Sequence, residues 1–245
     1  MLSTIADHDA SSVRIRGHDL VKELLGKITF TEMILLHLTG QRPPAGHVVI
    51  LDSVLVTLME HGITPSSIIA RLVYDSAPEA LQAAVAAGLC GAGSKLIGSM
   101  EQASALIKEI LAADDAEAAA AEIAARHRRE KRPLPGFGHP SHRPDDPRTE
   151  PMLGLALAQG VPGRHVEALR LFGRAVDAAY GRHITINATG AVAAVLGEIG
   201  IPVRIARGIA VVSRSAGLVG HIYEEQERPA AKVIWDASVR AVDEG

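Results

Sequence analysis

The chain has 245 residues, of which 47% are hydrophobic, 22% are charged and 3% are aromatic. This apolar share is typical of a globular protein and excludes a disordered chain, while the length allows one domain or two closely joined ones. The formal net charge is -3, from 25 basic and 28 acidic residues. Without an overall basic charge, and with few aromatic side chains for base stacking, the composition argues against a nucleic-acid partner.

The cysteine content and the hydropathy pattern indicate the compartment. Cys90 is the single cysteine, so the chain forms neither an intramolecular disulfide framework nor a cysteine-based zinc ribbon. The first residues contain no apolar segment of the kind found in signal peptides. The most apolar stretch, 48–59, is interrupted by Asp52 and is too short to cross a bilayer. We therefore expect a cytoplasmic protein with no membrane partner.

Apolar residues at helical spacing predict helices almost throughout the chain. In chain order the predicted helices are 21–38, 48–59, one that starts within 64–67, 80–93, 96–112, 116–129, 163–180, 189–199 and a last long one that Pro202 opens. Thr64 and Asp115 are residues that typically cap such helices. Clear strand-like alternation is scarce, so the predicted fold class is all-α.

One segment, 131–151, breaks the helical pattern. It contains six prolines and is rich in histidine and arginine. A loop of this length between helices is usually either functional or disordered. Its histidines and arginines are residue types that handle protons and anions, which makes the segment a candidate part of a functional site.

Two other motifs favour structural interpretations. The stretch 91–98 imitates a phosphate-binding loop, but no Gly-Lys-Ser/Thr closes it, so we favour helix packing. His139 and His142 lie near Asp145 and Asp146, but this spacing in a proline-rich loop is a weak signal, and we expect no metal.

The arginines Arg148, Arg214 and Arg228 point to a different ligand. A guanidinium group binds a carboxylate through two parallel hydrogen bonds, so a substrate with several carboxylates would suit these three residues. The alternative is that they are surface arginines with no common role.

Several motifs together resemble the citrate synthase superfamily. The segment Pro135-Gly136-Phe137-Gly138-His139, followed by Asp146-Pro147-Arg148, is similar to the substrate loop of that family. The stretches 16–19, 30–32, 38–40, 60–62, 213–221 and 227–229 resemble other family motifs and follow in the same order. The short length, and the small residues after Thr189, look most like citryl-CoA lyases and the C-terminal module of ATP-citrate lyase.

This resemblance implies an all-α citrate synthase-like fold with two helical domains. The large domain would comprise residues 1–95 and 185–245, and the small domain residues 96–184. The resemblance also implies a homodimer, with a cleft between the domains that closes over coenzyme A and a C4 dicarboxylate. No prosthetic group would be required, because the coenzyme A thioester is itself a substrate.

The resemblance also implies roles for individual residues. His61, His139, Arg148 and Arg214 would hold oxaloacetate or the citryl group, and Arg228 would reach across from the partner subunit. The coenzyme A side would be lined by Leu134, Pro135, Gly136, Phe137 and Gly138. His61 and His139 would be catalytic, with His139 as the candidate base for the tertiary hydroxyl group.

Two departures from the family pattern concern catalysis. Full-length citrate synthases carry a catalytic histidine in a segment that corresponds to 91–98, and no histidine is present there. Citryl-CoA lyase modules lack it too, which favours a lyase. Thr189 stands where the family has a catalytic aspartate. A threonine hydroxyl does not act as a carboxylate base near neutral pH, but it can donate or relay a proton.

Three functions follow from these residues. The leading hypothesis is citryl-CoA lyase-like cleavage of citryl-CoA, or of a related 3-hydroxy-3-carboxyacyl-CoA, to acetyl-CoA or another acyl-CoA and oxaloacetate or another 2-oxo acid. The second is the reverse condensation, as in citrate synthase. The third is a non-catalytic protein that binds coenzyme A or a dicarboxylate, which the replaced aspartate supports.

Overall fold

The computed structural model describes residues 3–244, apart from the side chains of residues 95 and 96, and it has the expected all-α fold. The α-helices are α1 (Phe30–Thr39), α2 (Ala45–Met59), α3 (Pro65–Ser76), α4 (Leu81–Cys90), α5 (Gly98–Ala112), α6 (Ala116–Arg129), α7 (Thr149–Ala158), α8 (Arg164–Tyr180), α9 (Ala188–Glu198), α10 (Val203–Glu227) and α11 (Ala231–Asp243). Two short π-helical turns, Leu20–Leu24 and Gly93–Ile97, complete the helical part.

A small antiparallel sheet precedes the helices and was not predicted. Its strands are β1 (Ala6–His8), β2 (Val13–Ile15) and β3 (His18–Asp19), in that spatial order. The strands are too short to show an alternating pattern in the sequence. The ion pair between Arg14 and Asp7, which are directly opposite each other on β2 and β1, supports their register.

The structure corrects three helix predictions. The predicted helix 21–38 is broken, because the chain leaves the first π-helical turn through Gly26 at φ +71° and restarts at α1 with a capping box of Thr29 and Glu32. Helix α7 was not predicted and starts within the segment 131–151. Helix α11 lies beyond the last helix that the sequence predicted. The caps at Thr64 and Asp115 are confirmed, since each side chain accepts a backbone N–H of the helix that follows.

The hydrophobic core explains how the site is positioned. Helix α9 packs against α5, α7 and α8, and all of its residues are buried except Thr189 and Gly197. The main core takes in residues of α1, α2 and α5 to α10, while a second small cluster joins α3, α4 and α10. The main core contains Ile50 and Phe172, one from each predicted domain, and the division into two domains stays a prediction. Within the described part of the chain, no helix is both long and apolar enough to cross a membrane.

Candidate active site

A cavity of about 290 Å³ gathers five of the residues that the sequence predicted for the site. It lies between the turn that joins α2 to α3, the start of α9, the middle of α10 and the proline-rich loop. The predicted site residues that line it are His61, His139, Arg148, Thr189 and Arg214. Residues from four separate parts of the chain therefore meet in one place, as the resemblance implies.

His61 is held by the turn between α2 and α3. The carboxylate of Glu60 accepts the backbone N–H groups of His61 and Gly62 through Oε1, each at 2.7 Å. Gly62 has φ +70°, a conformation that suits glycine. The turn thus brings the imidazole of His61 to within 6.2 Å of the His139 ring, measured between centroids.

A buried network supports Glu60 from behind. Arg71 is 2% exposed and donates from Nε and Nη2 to Nδ1 of His221. Because Nδ1 accepts, the proton of the neutral His221 ring lies on Nε2, which donates to Oε1 of Glu60 at 3.0 Å. Burial acts to raise the pKa of Glu60, but the hydrogen bonds from His221 and from the turn hold that pKa below its ordinary value. Glu60 is therefore an ionised positioning group and a poor proton donor.

His139 is oriented by its own loop. Its Nδ1 atom accepts the backbone N–H groups of Ser141, at 3.1 Å, and His142, at 2.9 Å. The rings of His139 and His142 stack with their centroids 4.1 Å apart. Partial burial and the nearby His142 lower the pKa of His139. The neutral ring therefore carries its proton on Nε2. This favours a role as hydrogen-bond donor to a ligand oxygen, while the predicted role as a base stays a prediction.

Asp146 fixes Arg148. The Asp146 carboxylate is fully buried and accepts Nε and Nη2 of Arg148 at 2.9 and 2.8 Å. The same carboxylate accepts the backbone N–H of Ala188 at 2.9 Å, which ties the arginine to the first turn of α9. Burial acts to raise the pKa of Asp146, but these hydrogen bonds hold it far below its usual range. Arg148 is thus a pre-oriented cation at the cavity wall.

The first turn of α9 presents Thr189 to the cavity. Asn187 caps the helix by accepting the N–H of Gly190, and its side-chain amide donates to the carbonyl oxygen of Gly138 at 2.8 Å. Gly190 packs so tightly on the loop that a Cβ there would lie 2.6 Å from the oxygen of Gly136. The Thr189 hydroxyl makes no hydrogen bond to the described part of the chain and is available to a ligand.

Two further groups in the cavity have no hydrogen-bond partner within the described part of the chain. Nη1 of Arg214 is buried without a hydrogen bond there, which suits a cation that binds a ligand carboxylate. The hydroxyl of Ser66 is also buried and without a partner, and Ser66 lines the same cavity. Sequence analysis missed Ser66 and the role of Glu60, although both belong to the short segment that carries His61.

A second cavity of about 930 Å³ adjoins the first, with Asn187 in the lining of both. Its walls include the predicted coenzyme A residues Leu134, Pro135, Gly136 and Phe137, together with the basic side chains Arg126 and Arg132. Gly138 is not in the lining, since its N–H and carbonyl groups pair with Thr185 and Asn187. A long apolar and anionic ligand fits this cavity better than a small one does.

Arg228 does not reach the cavity of its own chain. It follows the last residue of α10, and its side chain is exposed. Its predicted contribution from a partner subunit stays a prediction.

One cluster near the site has metal-ligand residue types. The ligand atoms of His139, His142 and Asp146 lie within 4.8 Å of one another. The oxygens of Asp146 already accept Arg148 and Ala188, and Nδ1 of His139 accepts two backbone N–H groups. These oxygen and nitrogen atoms already accept hydrogen bonds within the protein, so the cluster does not fit a cation.

The two ends of the stretch 91–98 pack against helices, as the favoured interpretation had it. A Cβ at Gly91 would lie 2.5 Å from Cδ1 of Ile69 on α3, and one at Gly98 would lie 2.8 Å from Nη2 of Arg207 on α10. Within α4, a Cβ at Gly88 would lie 2.8 Å from the carbonyl oxygen of Ser66, so glycine there allows the close approach of α3 and α4.

Comparison with known proteins agrees with this geometry. Residues 2–235 match the family model described as citrate synthase, C-terminal domain. The structure of citryl-CoA lyase from Hydrogenobacter thermophilus superposes with a TM-score of 0.84 and 30% identity, covering 92% of this chain and 86% of that one. A variant of the Methanosaeta concilii ATP citrate lyase, in complex with (3S)-citryl-CoA, superposes with a TM-score of 0.79, covering 95% of this chain and 41% of that one. At 19% identity, this second likeness shows the fold alone.

A curated protein of Mycobacterium tuberculosis, named "Putative citrate synthase 2", is 27% identical over 217 residues. That alignment covers 83% of this chain and 55% of the relative, so the chain spans about half the length of the curated relatives it matches. The family match extends over nearly the whole chain and includes every motif that meets in the cavity. The chain belongs to the citrate synthase family.

Proposed function

We propose that the chain cleaves citryl-CoA, or a related 3-hydroxy-3-carboxyacyl-CoA, to an acyl-CoA and a 2-oxo acid. The observation that carries this proposal is the cavity that gathers Arg148, Arg214 and His139 beside a second cavity lined by residues 134–137. The first cavity suits a compact polyanion, and the second suits the coenzyme A part of a thioester. The likeness to a citryl-CoA lyase over most of both chains supports the cleavage direction.

The arginines bind the carboxylates. Arg148 is held by Asp146, and Nη1 of Arg214 is buried with no partner among the residues that the structure describes. Two carboxylates that repel each other as they leave water are neutralised by these two cations. The binding energy thus offsets the desolvation of the charged substrate.

His139 binds the oxygen on the carbon whose bond to the departing group is cleaved. Its Nε2–H donates to that oxygen, which changes from a tertiary hydroxyl to a carbonyl when the carbon–carbon bond breaks. A neutral donor in a partly buried site stabilises the negative charge that develops on this oxygen. The hydrogen bonds on Nδ1 hold the ring in the tautomer that this role requires.

Thr189 relays the proton. Cleavage moves one proton from the tertiary hydroxyl to the terminal carbon of the departing enolate. Oγ1 of Thr189 accepts the proton of the tertiary hydroxyl while the Thr189 hydroxyl gives its own proton to the terminal carbon. No net charge therefore forms on the side chain. Because it has no hydrogen bond to the described residues, both its donor and its acceptor positions are left to the substrate.

The complete site belongs to a homodimer in this proposal. Arg228 lies outside the cavity of its own chain, at the exposed end of α10. The exposed apolar side chains Trp235 and Val242 on the following helix give this region a surface that a second copy covers. The partner subunit then supplies Arg228 to the substrate.

The test is to incubate the purified protein with citryl-CoA and follow the release of oxaloacetate. We expect release by the wild type, loss of release in His139→Ala, and a smaller effect in His142→Ala, which removes the stacked neighbour outside the cavity. Binding of coenzyme A and a dicarboxylate without any release would contradict cleavage and favour the non-catalytic alternative.

A further inference from the structure

The hydroxyl of Ser66 takes part in no structural hydrogen bond within the described part of the chain. The residue is 2% exposed, and its hydroxyl has no hydrogen-bond partner in the described chain. A buried hydroxyl without a partner destabilises a fold by roughly 1–3 kcal/mol. Such a group is rare, and its place in the lining of the candidate active site indicates a ligand partner.

The start of α3 adds to the same donor site. Ser66 is the second residue of this 12-residue helix, whose first turn faces the cavity through Thr64, Pro65 and Ser66. The Thr64 hydroxyl accepts the N–H of Ser67, so the cap is completed without Ser66. The Ser66 side chain therefore lies at the positive end of the helix dipole, where negative charge is stabilised.

The neighbours of Ser66 show which part of the ligand it meets. Its carbonyl oxygen packs against Gly88 of α4, just before the segment 92–99. Ala92 and Ile97 of this segment line the first cavity, and Ser94 and Ser99 line the second. Ser66 thus shares the first cavity with a segment whose other residues line the second cavity, and a thioester group that joins coenzyme A to the polyanion would pass along this segment.

Among the described residues, the part of segment 92–100 that faces the first cavity offers no side-chain donor. In the described chain, Ala92, Ile97 and Met100 form the part of the first cavity that comes from segment 92–100, and all three are apolar. In the proposed function, Arg148 and Arg214 bind carboxylates and His139 donates to the oxygen on the carbon where the bond breaks. The oxygen of a thioester that becomes an enolate gains negative charge and requires a donor of its own.

We propose that the Ser66 hydroxyl donates to the thioester oxygen and stabilises the enolate. This inference rests on the proposed function, because it assigns a ligand atom within that reaction. No bond forms to Ser66 itself, so the hydroxyl keeps its proton throughout.

The test compares Ser66→Ala with Ser104→Ala. Ser104 is a second buried serine whose hydroxyl lacks a partner, but it lines neither cavity, so it is a matched control. The probe is carboxymethyl-CoA, a thioether whose carboxylate resembles an enolate, bound in the presence of oxaloacetate. Titration calorimetry measures its affinity, a second titration measures oxaloacetate alone, and turnover of citryl-CoA is followed in parallel.

We expect Ser66→Ala to weaken carboxymethyl-CoA roughly tenfold or more and to lower kcat by roughly 10- to 100-fold. Affinity for oxaloacetate alone and the melting temperature should not fall, and Ser104→Ala should match the wild type in all binding and rate measurements. Ser66→Cys, which keeps a weak donor of similar size, should lie between Ser66→Ala and the wild type.

Other outcomes separate this inference from the proposed function. If the wild type cleaves citryl-CoA and Ser66→Ala keeps its affinity for carboxymethyl-CoA and its kcat, Ser66 is not the donor, although the proposed function stands. If the wild type neither binds carboxymethyl-CoA nor cleaves citryl-CoA, the proposed function is wrong and the assignment of Ser66 falls with it. A parallel fall in melting temperature and in both affinities would indicate a structural role and would also overturn the assignment.

Discussion

His221 donates from Nε2 to Oε1 of Glu60 at 3.0 Å, and so connects a buried arginine to the turn that carries His61. Arg71 sets this direction by donating to Nδ1 of His221, and it also pairs with Glu225 at 2.7 Å. The arrangement links α3 and α10 to a cavity wall through groups that do not themselves need to touch substrate. It predicts that substitution of Arg71 or His221, which do not line the cavity, disturbs the position of His61 in the cavity wall.

His221→Leu should lower both stability and ligand affinity. It leaves Glu60 and Arg71 without their link, and the loss of one buried polar partner costs about 1–3 kcal/mol. Urea unfolding measures this cost, and calorimetry should show weaker binding of oxaloacetate, because the His61 turn is no longer held. The control is His18→Leu, which removes a more exposed pair between His18 and Glu23 at 2.9 Å. Equal losses in the two variants would contradict the network.

The pH dependence of turnover should reflect the lowered pKa of His139. The ring must be neutral to accept two N–H groups at Nδ1 and to donate from Nε2, so protonation inactivates it. Because its pKa lies below the ordinary 6.5, the acid limb of kcat/KM should fall below that pH. His142→Gln removes a nearby positive charge and should move this limb to higher pH. A limb at or above pH 6.5 in the wild type would contradict the assignment.

Asp146→Asn should weaken both the fold and the substrate site. The substitution removes the charge that orients Arg148, and breaking such a buried pair costs roughly 3–5 kcal/mol. The pKa of Asp146 is depressed, so its contribution is complete above the unfolded pKa of about 3.9 and is lost as pH falls through the folded pKa. The stability difference between wild type and variant should therefore be full at pH 7 and should shrink in acid. A difference that does not depend on pH would contradict this origin.

Two substitutions at Thr189 test the proton relay. Thr189→Val keeps the branched shape without the hydroxyl, so turnover should fall by roughly 100-fold or more, while affinity for oxaloacetate stays constant. Thr189→Asp places a carboxylate in the first turn of α9, where the helix dipole tolerates it, and should raise the turnover of citryl-CoA. Unchanged turnover in Thr189→Val would remove this residue from the mechanism.

Mixed dimers test the role of Arg228. If it acts across a subunit interface, Arg148→Ala and Arg228→Ala are each inactive alone, but co-refolded chains form some dimers with one complete site. Activity should therefore return on mixing, to roughly a quarter of the wild-type level for random pairing of two protomers. No recovery, in a mixture shown to be dimeric, would mean that Arg228 acts within its own chain or not at all.

The sequence by itself determined the helical class, most helix starts and five of the residues that line the first cavity. Capping residues such as Thr64 and Asp115 act within one turn, so their effect is visible from neighbours in the chain. The motif residues His61, His139 and Arg148 were found because their local context resembles a known family. Helix α7 was missed because it starts within the proline-rich segment, and α11 because its pattern follows the R-P element without a strong break. The strands of the N-terminal sheet were missed because they are only two or three residues long.

Only the tertiary structure decided which atoms face a ligand. Glu60 and His221 are 161 positions apart, and Asp146 and Ala188 are 42 apart, so no local pattern predicts their hydrogen bonds. The unpartnered hydroxyl of Ser66 is likewise a property of the packed molecule, because a buried group is without a partner only once every neighbour is placed. Helical periodicity reports contacts within about four residues, whereas the tautomers, ion networks and orphaned donors of this site arise from contacts between distant segments.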